Sequence, residues 1–307
     1  MEIDKDSAIL LGNGINYNGT DDCSWKRILL EIADENSNKD YLKNPEAISY
    51  PEFFDAIVLN RSKHNKDDIQ KCNSEVKKQI CEKIGKWEAT ERHTAIVNYA
   101  KAKEIPILTT NYDMTLETVL FINRKNDIKK GKNYYKPSGK YCHYRYPWNQ
   151  YYSNKNDIFD CRNNFAIWHI HGFIYYYQSL IIGADDYASV IYHAKNYINN
   201  KKTGLYATIN EADWCGKNSW LDIFFHKKLY IIGLSLDSQE TGLRWLLMQR
   251  EKFFRKKESK RKETIYNYSD DKELSSGKRF FFEGIGIKAN KLSSYDEIYS
   301  FCTKERK

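Results

Sequence analysis

This sequence of 307 residues contains no apolar run long enough to span a bilayer, and its opening residues, Met1-Glu2-Ile3-Asp4-Lys5, lack the character of a signal peptide. A cytoplasmic protein with no membrane partner is expected. No two of the seven cysteines (Cys23, Cys72, Cys81, Cys142, Cys161, Cys215 and Cys302) stand in Cys-x-x-Cys spacing, which argues against both a disulfide framework and a zinc ribbon. Free thiols and no bound metal are expected. The full Gly-x-Gly-x-x-Gly fingerprint of dehydrogenases is also missing, and no internal repeat is visible.

What the sequence does contain is a modest net charge of +8, with both signs spread along the chain. Such a balance permits an anionic ligand or a nucleic acid without requiring either. The sharpest basic run, residues 252–262, is interleaved with Glu258 and flanked by Glu251 and Glu263, and it reads as a solvated helix face. The 24 tyrosines and 14 phenylalanines sit mostly beside apolar residues and read as packing.

The chain is organised around Pro106-Ile107-Leu108-Thr109-Thr110-Asn111-Tyr112-Asp113. Residues 105–108 read as a buried parallel strand, and Thr115-Leu116-Glu117-Thr118-Val119-Leu120 has helical spacing. The polar residues between them therefore occupy a strand-to-helix turn, where open α/β sheets bind ligands. Asn111 and Asp113, two positions apart, can face one ligand there; the alternative is a helix cap. Upstream, Ser7-Ala8-Ile9-Leu10-Leu11 reads as the first strand, running into Gly12-Asn13-Gly14-Ile15-Asn16. Glycines there let the backbone approach a pyrophosphate, with the next helix N-terminus adding positive field, or simply supply backbone freedom.

Residues 25–103 are mostly helical in pattern, with amphipathic segments at 25–33, 51–59, 75–87 and 93–103 and a polar loop at 34–44. They read as a helical insertion capping the sheet beside the glycine turn, with His64 and His93 as surface or packing residues. Residues 125–160, rich in Lys, Asn and Tyr, read as a long polar loop. Over residues 164–173, strand alternation sets His169 and His171 on one face. No carboxylate or thiol set completes a metal site there, and a histidine followed by glycine at a strand end suits a catalytic base. A buried, hydrogen-bonded structural role fits His169 better than His171. Residues 175–182 are expected to pair as a hairpin, and 228–236 to form a strand ending in Gly233-Leu234-Ser235, a turn suited to phosphate or ribose contact. A helix at 241–254, closing strand structure at 279–288 and a C-terminal helix at 295–302 complete the pattern.

In order, the glycine turn, Thr110-Asn111-Tyr112-Asp113, His171-Gly172 and Gly233-Leu234-Ser235-Leu236 resemble the sirtuin-like family. Gly183-Ala184-Asp185-Asp186-Tyr187 and the stretch Gly233-Leu234-Ser235-Leu236-Asp237-Ser238-Gln239-Glu240 resemble its prokaryotic branch used in antiviral defence. The resemblance runs over about residues 7–300 by motif order. It implies an α/β fold, a Rossmann-like parallel sheet flanked by helices, forming a single catalytic domain over 1–307 with NAD as substrate. On the same ground, Gly12, Asn13 and Gly14 cradle the pyrophosphate, and Asn16 adds a ribose or phosphate contact. Thr110, Asn111 and Asp113 face the nicotinamide ribose, its carboxamide and the attacking water, His171 is the base, and Gly233 and Ser235 make the other nucleotide contacts. The family's deacylase branch carries two Cys-x-x-Cys pairs that this sequence lacks. The expectation is therefore an NAD hydrolase that depletes NAD during phage infection, gated by oligomerisation or by a separately encoded sensor. A non-catalytic module that binds NAD or ADP-ribose and a protein deacylase are the alternatives.

Overall fold

The computed structural model describes residues 3–17, 23–34, 48–121, 134–135, 148–153, 160–207, 213–269 and 273–302. Its strands are β1 (Ser7–Leu11), β2 (Ile107–Thr109), β3 (Tyr134–Tyr135), β4 (Tyr151–Tyr152), β5 (Ile167–His169), β6 (Lys228–Ile232), β7 (Thr264–Ser269) and β8 (Ile287–Leu292). They form one sheet in the order β3-β4-β5-β2-β1-β6-β7-β8. Every pairing from β5 to β8 is parallel, and the short β3 and β4 add an antiparallel edge. Apart from that edge, the strand order is that of a doubly wound dinucleotide-binding sheet, which changes winding direction between β1 and β6. The expected Rossmann-like α/β architecture is therefore present, and its switch point lies at Gly12, after β1, and Gly233, after β6.

The helices are α1 (Trp25–Asp34), α2 (Tyr50–Asn65), α3 (Ile69–Ile84), α4 (Glu91–Lys103), α5 (Thr115–Leu120), α6 (Ala184–Asn199), α7 (Trp220–His226), α8 (Thr241–Lys256) and α9 (Ser276–Gly284). Strand alternation divides the apolar residues between the two faces of the sheet. Ala8, Leu10, Leu108, Trp168 and Ile231 pack with α6, α7, α8 and α9. Ile9, Leu11, Ile107, Ile167 and Ile232 pack with α4, α5 and a C-terminal 3₁₀ turn, Asp296–Cys302. A third core joins α1, α2 and α3 and is closed by Tyr112, Leu180 and Ile182. The helical region is thus two things: α1–α3 are an insertion fastened to the turn after β2, while α4 is a sheet-covering crossover helix.

Several local expectations are corrected. Residues 175–182 form no hairpin; a single bridge joins Phe173 to Tyr176 and a 3₁₀ turn follows at Tyr177–Ser179. Gly172 bends the chain at φ +88, and the Ser179 hydroxyl accepts from the Phe173 N–H at 3.2 Å and donates to the Tyr176 carbonyl at 2.6 Å, which closes the loop on itself. Residues 279–283 lie in α9 rather than in a strand, a placement that exposes Phe280 (78%) and buries Phe282 (2%). The strands not anticipated are β7, whose Thr-Ile-Tyr-Asn-Tyr-Ser sequence reads as polar, and the short β3 and β4, which lie within the expected polar loop at 125–160 and join the sheet edge through paired tyrosines. The C-terminal segment is a 3₁₀ turn rather than an α-helix. The glycine turn leads into a 3₁₀ turn, Asn13–Asn16, with α1 starting only at Trp25, so no α-helix N-terminus follows it directly. Residues 35–44 of the expected polar loop lie outside the described residues. So do Cys142 and most of 125–160; among the described residues the other six cysteines form no disulfide. No helix among the described residues is long and apolar enough to cross a membrane.

The two loops at the switch point touch through their backbones. A Cβ on Gly12 would stand 2.5 Å from the Gly233 carbonyl oxygen and 2.7 Å from Leu234 Cα. Backbone atoms cannot swing aside as a side chain can, so Gly12→Ala is expected to cost about 1–3 kcal/mol. A lower midpoint in denaturant unfolding, with an unchanged slope, is the result that checks it.

Candidate active site

Gly12 and Gly14 are explained first by packing. Their N–H groups donate to the carbonyls of Ile232 (2.9 Å) and Gly233 (2.7 Å), and those of Ile15 and Tyr17 turn back to Gly12 (3.4 Å) and Gly14 (3.0 Å). A Cβ on Gly14 would meet Gly233 Cα at 2.7 Å, and Gly233 itself adopts φ +63. The Tyr295 hydroxyl donates to the Gly14 carbonyl from the C-terminal segment. The loop is therefore a rigid seam between β1 and β6, with those four N–H groups already satisfied. Ser235 is exposed beyond it, and its carbonyl accepts from Lys278 Nζ and, at 3.3 Å, from the Tyr266 hydroxyl.

The turn after β2 is stitched to the same seam. The Thr109 hydroxyl and the Thr110 N–H both donate to the Leu11 carbonyl (3.2 and 3.0 Å), and the Asn111 N–H donates to Thr109 Oγ1 at 3.1 Å. Thr110 is buried there. Asn111 is only 3% exposed, and neither Oδ1 nor Nδ2 of its side chain has a hydrogen-bond partner. A buried amide left unbonded costs about 1–3 kcal/mol, so this one is strained chemically even though its backbone is well held.

Asp113 is buried and fully engaged. Its Oδ1 accepts from the N–H of Thr115 (3.0 Å) and from the Thr115 hydroxyl, which satisfies the start of α5, so the helix-cap reading holds for this carboxylate. Its Oδ2 accepts from Asn16 Nδ2 at 3.0 Å. Asn16 in turn is oriented by His93, a residue the sequence left as surface or packing. His93 Nδ1 accepts the Thr90 N–H (3.0 Å), so the ring proton sits on Nε2 and is donated to Asn16 Oδ1 at 3.0 Å. That fixes the Asn16 amide with Nδ2 aimed at Asp113 and, at 2.9 Å, at Asn13 Oδ1. Asn13 Nδ2 donates onward to the Cys23 carbonyl at 2.6 Å. Burial pushes the His93 pKa down to about 4, against the pull of Asp113, so the relay carries a neutral imidazole.

On the other side of Asn111 lies His169. Its Nδ1 donates to the Asn111 carbonyl at 2.8 Å and its Nε2 to Glu117 Oε1 at 2.9 Å. Both partners can only accept, so both ring nitrogens carry protons. Burial alone would lower the His169 pKa; the charge and hydrogen bond of Glu117, with the Asn111 carbonyl, outweigh it and raise the pKa. The structural role expected for His169 is therefore its actual one: a buried imidazolium–carboxylate pair that anchors the Asn111 main chain.

His171 is different. The Ile170 N–H donates to the Thr109 carbonyl (2.9 Å) and the Ile174 N–H to the Tyr112 carbonyl (3.0 Å), so the segment carrying His171 runs beside the one carrying Asn111. His171 is 7% exposed and meets the Tyr187 ring edge-on at 5.7 Å. Among the described residues neither of its ring nitrogens has a hydrogen-bond partner, and burial pushes its pKa down to about 4. At neutral pH it is an uncharged imidazole with a free lone pair.

An unbonded amide and a neutral histidine thus stand at the carboxyl ends of the central strands of a doubly wound α/β sheet, the edge at which such sheets bind ligands. Residues 106–241, a little under half of the chain, match the family model of the SIR2-like domain, and this part of the chain is similar to that domain. The matched stretch holds Asn111, Asp113, His171, Gly233 and Ser235; the glycine turn and His93 precede it. No match to the chain was found among curated proteins. Among the described residues no three His, Cys, Asp or Glu side chains gather as metal ligands.

Proposed function

We propose that the chain hydrolyses NAD to nicotinamide and ADP-ribose. The observation that carries this reading is the Asn111 side chain, buried and unbonded at both ends beside a neutral His171. A module that only binds a nucleotide needs neither a free base nor an amide held ready at such a cost. In the reaction the bond between nicotinamide nitrogen and ribose C1′ breaks, and its electron pair neutralises the pyridinium. The oxygen of water bonds to C1′ and its proton passes to His171. Asn111 orients the ribose or the nicotinamide carboxamide, and Asp113, locked by Thr115 and Asn16, faces the cationic transition state. The switch-point crevice takes the pyrophosphate and ribose. With the N–H groups of Gly12 and Gly14 engaged and the amides of Asn13 and Asn16 bonded within the site, those contacts fall to Thr110, Ser235 and the surface beside Gly233.

The resemblance to the antiviral branch supports a role in depleting NAD during phage infection, with activity released by self-assembly or by a separately encoded sensor. A lone monomer that is constitutively active would contradict that gating.

If His171 is the base, the acid limb of kcat/KM follows its pKa in the free protein. NAD cleavage is expected to stay level from pH 8 to pH 6 and to fall only toward about pH 4. An acid limb centred near 6.5, the ordinary value for a histidine, would remove His171 from that role.

A further inference from the structure

On the face of the sheet covered by α6 and α8, away from the switch point, the protein carries a cleft of about 640 Å³. Its apolar lining is Ile198 at the end of α6 together with Tyr206 and Ala207. Its rim is cationic: Lys201 after α6, and Lys252, Arg255 and Lys256 along α8. Asn199, Asn200 and Gln249 supply amide groups between the two, and no carboxylate is among its described lining residues. Arg255 is held by Glu251 at 2.9 Å, and the Lys256 ammonium stands 4.7 Å from the centre of the Tyr206 ring. Among the described residues Lys201 and Lys252 have no ion-pair partner. Like charges gathered around one apolar concavity repel one another, and an anion placed between them relieves that repulsion.

We infer that this cleft is a second ligand site, distinct from the proposed NAD site, and that it takes a nucleoside triphosphate. The match is one of chemistry. An apolar patch with an aromatic ring suits a planar base, the neighbouring amides suit its polar edge, and the three lysines Lys201, Lys252 and Lys256 suit a chain of phosphates. The volume lies within the ordinary range for small-molecule sites. The basic residues that follow along the chain, Lys257 and Lys260, are not among the cleft's described lining residues, and Arg261 beyond them is tied to Glu251 at 2.9 Å and Glu258 at 2.7 Å.

The test is titration of the full chain with ATP and GTP, followed by calorimetry, beside adenosine, inorganic triphosphate and a ten-residue oligothymidylate. The same series is run on Lys252→Glu/Lys256→Glu and on Lys201→Glu, exposed positions on two separate elements. Saturable binding of ATP and GTP that weakens about tenfold or more in both variants, with adenosine and inorganic triphosphate each weaker than ATP, is the expected result. No saturable binding, or binding that both variants leave unchanged, would overturn the site. Equal affinity for inorganic triphosphate would overturn the nucleotide assignment, and tighter binding of the oligothymidylate would reassign the cleft to a nucleic-acid strand.

Discussion

Asn111→Ala is expected to lower kcat for NAD cleavage by about 10²–10³-fold, the usual effect of removing one polar group aimed at a developing charge. The same substitution is expected to leave stability unchanged or slightly higher. Both main-chain bonds at this position, to Thr109 and from His169, survive in alanine. The side chain that is lost makes no hydrogen bond, so truncation removes an unsatisfied buried amide rather than an interaction. Loss of activity with an undiminished melting temperature is the signature of a residue kept for a ligand, because site residues of this kind are held against the interest of the fold. A melting temperature that falls by several degrees would mean that Asn111 supports the structure, and the loss of activity would then say little about the site.

Glu117→Ala is expected to be the most destabilising single change near the site. It leaves the His169 imidazole buried opposite nothing, and breaking one partner of a buried pair costs about 3–5 kcal/mol. The melting temperature should fall on the order of 10 °C. The effect depends on pH. The His169 pKa is raised in the folded state above the ordinary histidine value of 6.5, so the stabilisation from its protonation is fully present below that value and fades as pH rises through the folded-state pKa. The gap between wild type and Glu117→Ala should therefore be widest in mild acid and narrow in alkali, as chemical denaturation across pH would show. Replacing both partners with leucine should recover much of the stability, since an apolar pair of similar volume fits a buried site at least as well. It should not recover activity, because removing His169 takes away the Nδ1–H that holds the Asn111 carbonyl.

The parts of this site that could be read from the sequence are those set by local pattern. The five-residue β1, the turn at Asn111 and Asp113, and the choice of His169 over His171 as the structural histidine all follow from strand periodicity and strand ends. What could not be read is what depends on distant partners. Glu117 looks like any helical glutamate, and only the fold brings it to a histidine 52 positions along the chain. His93 carries no local signal beyond the Thr90-x-x-His93 spacing at a helix start, yet it orients Asn16 from 77 positions away. The two glycines after β1 read as a place where the backbone turns tightly and approaches a pyrophosphate, whereas the group that lies against them is the backbone of Gly233, which only the parallel register of β1 and β6 reveals. Residues 279–283 misled because three consecutive phenylalanines suit a strand as well as a helix edge, and their exposure settles the matter.

The most direct test of the account is to incubate the purified protein with NAD, alone and together with the products of the genes encoded beside it, and to separate the products by chromatography. The account predicts nicotinamide and ADP-ribose in equal amounts from the wild type under at least one of those conditions, and neither from Asn111→Ala or His171→Ala. Saturable NAD binding without release of nicotinamide under every condition would contradict it and leave a nucleotide-binding module in its place.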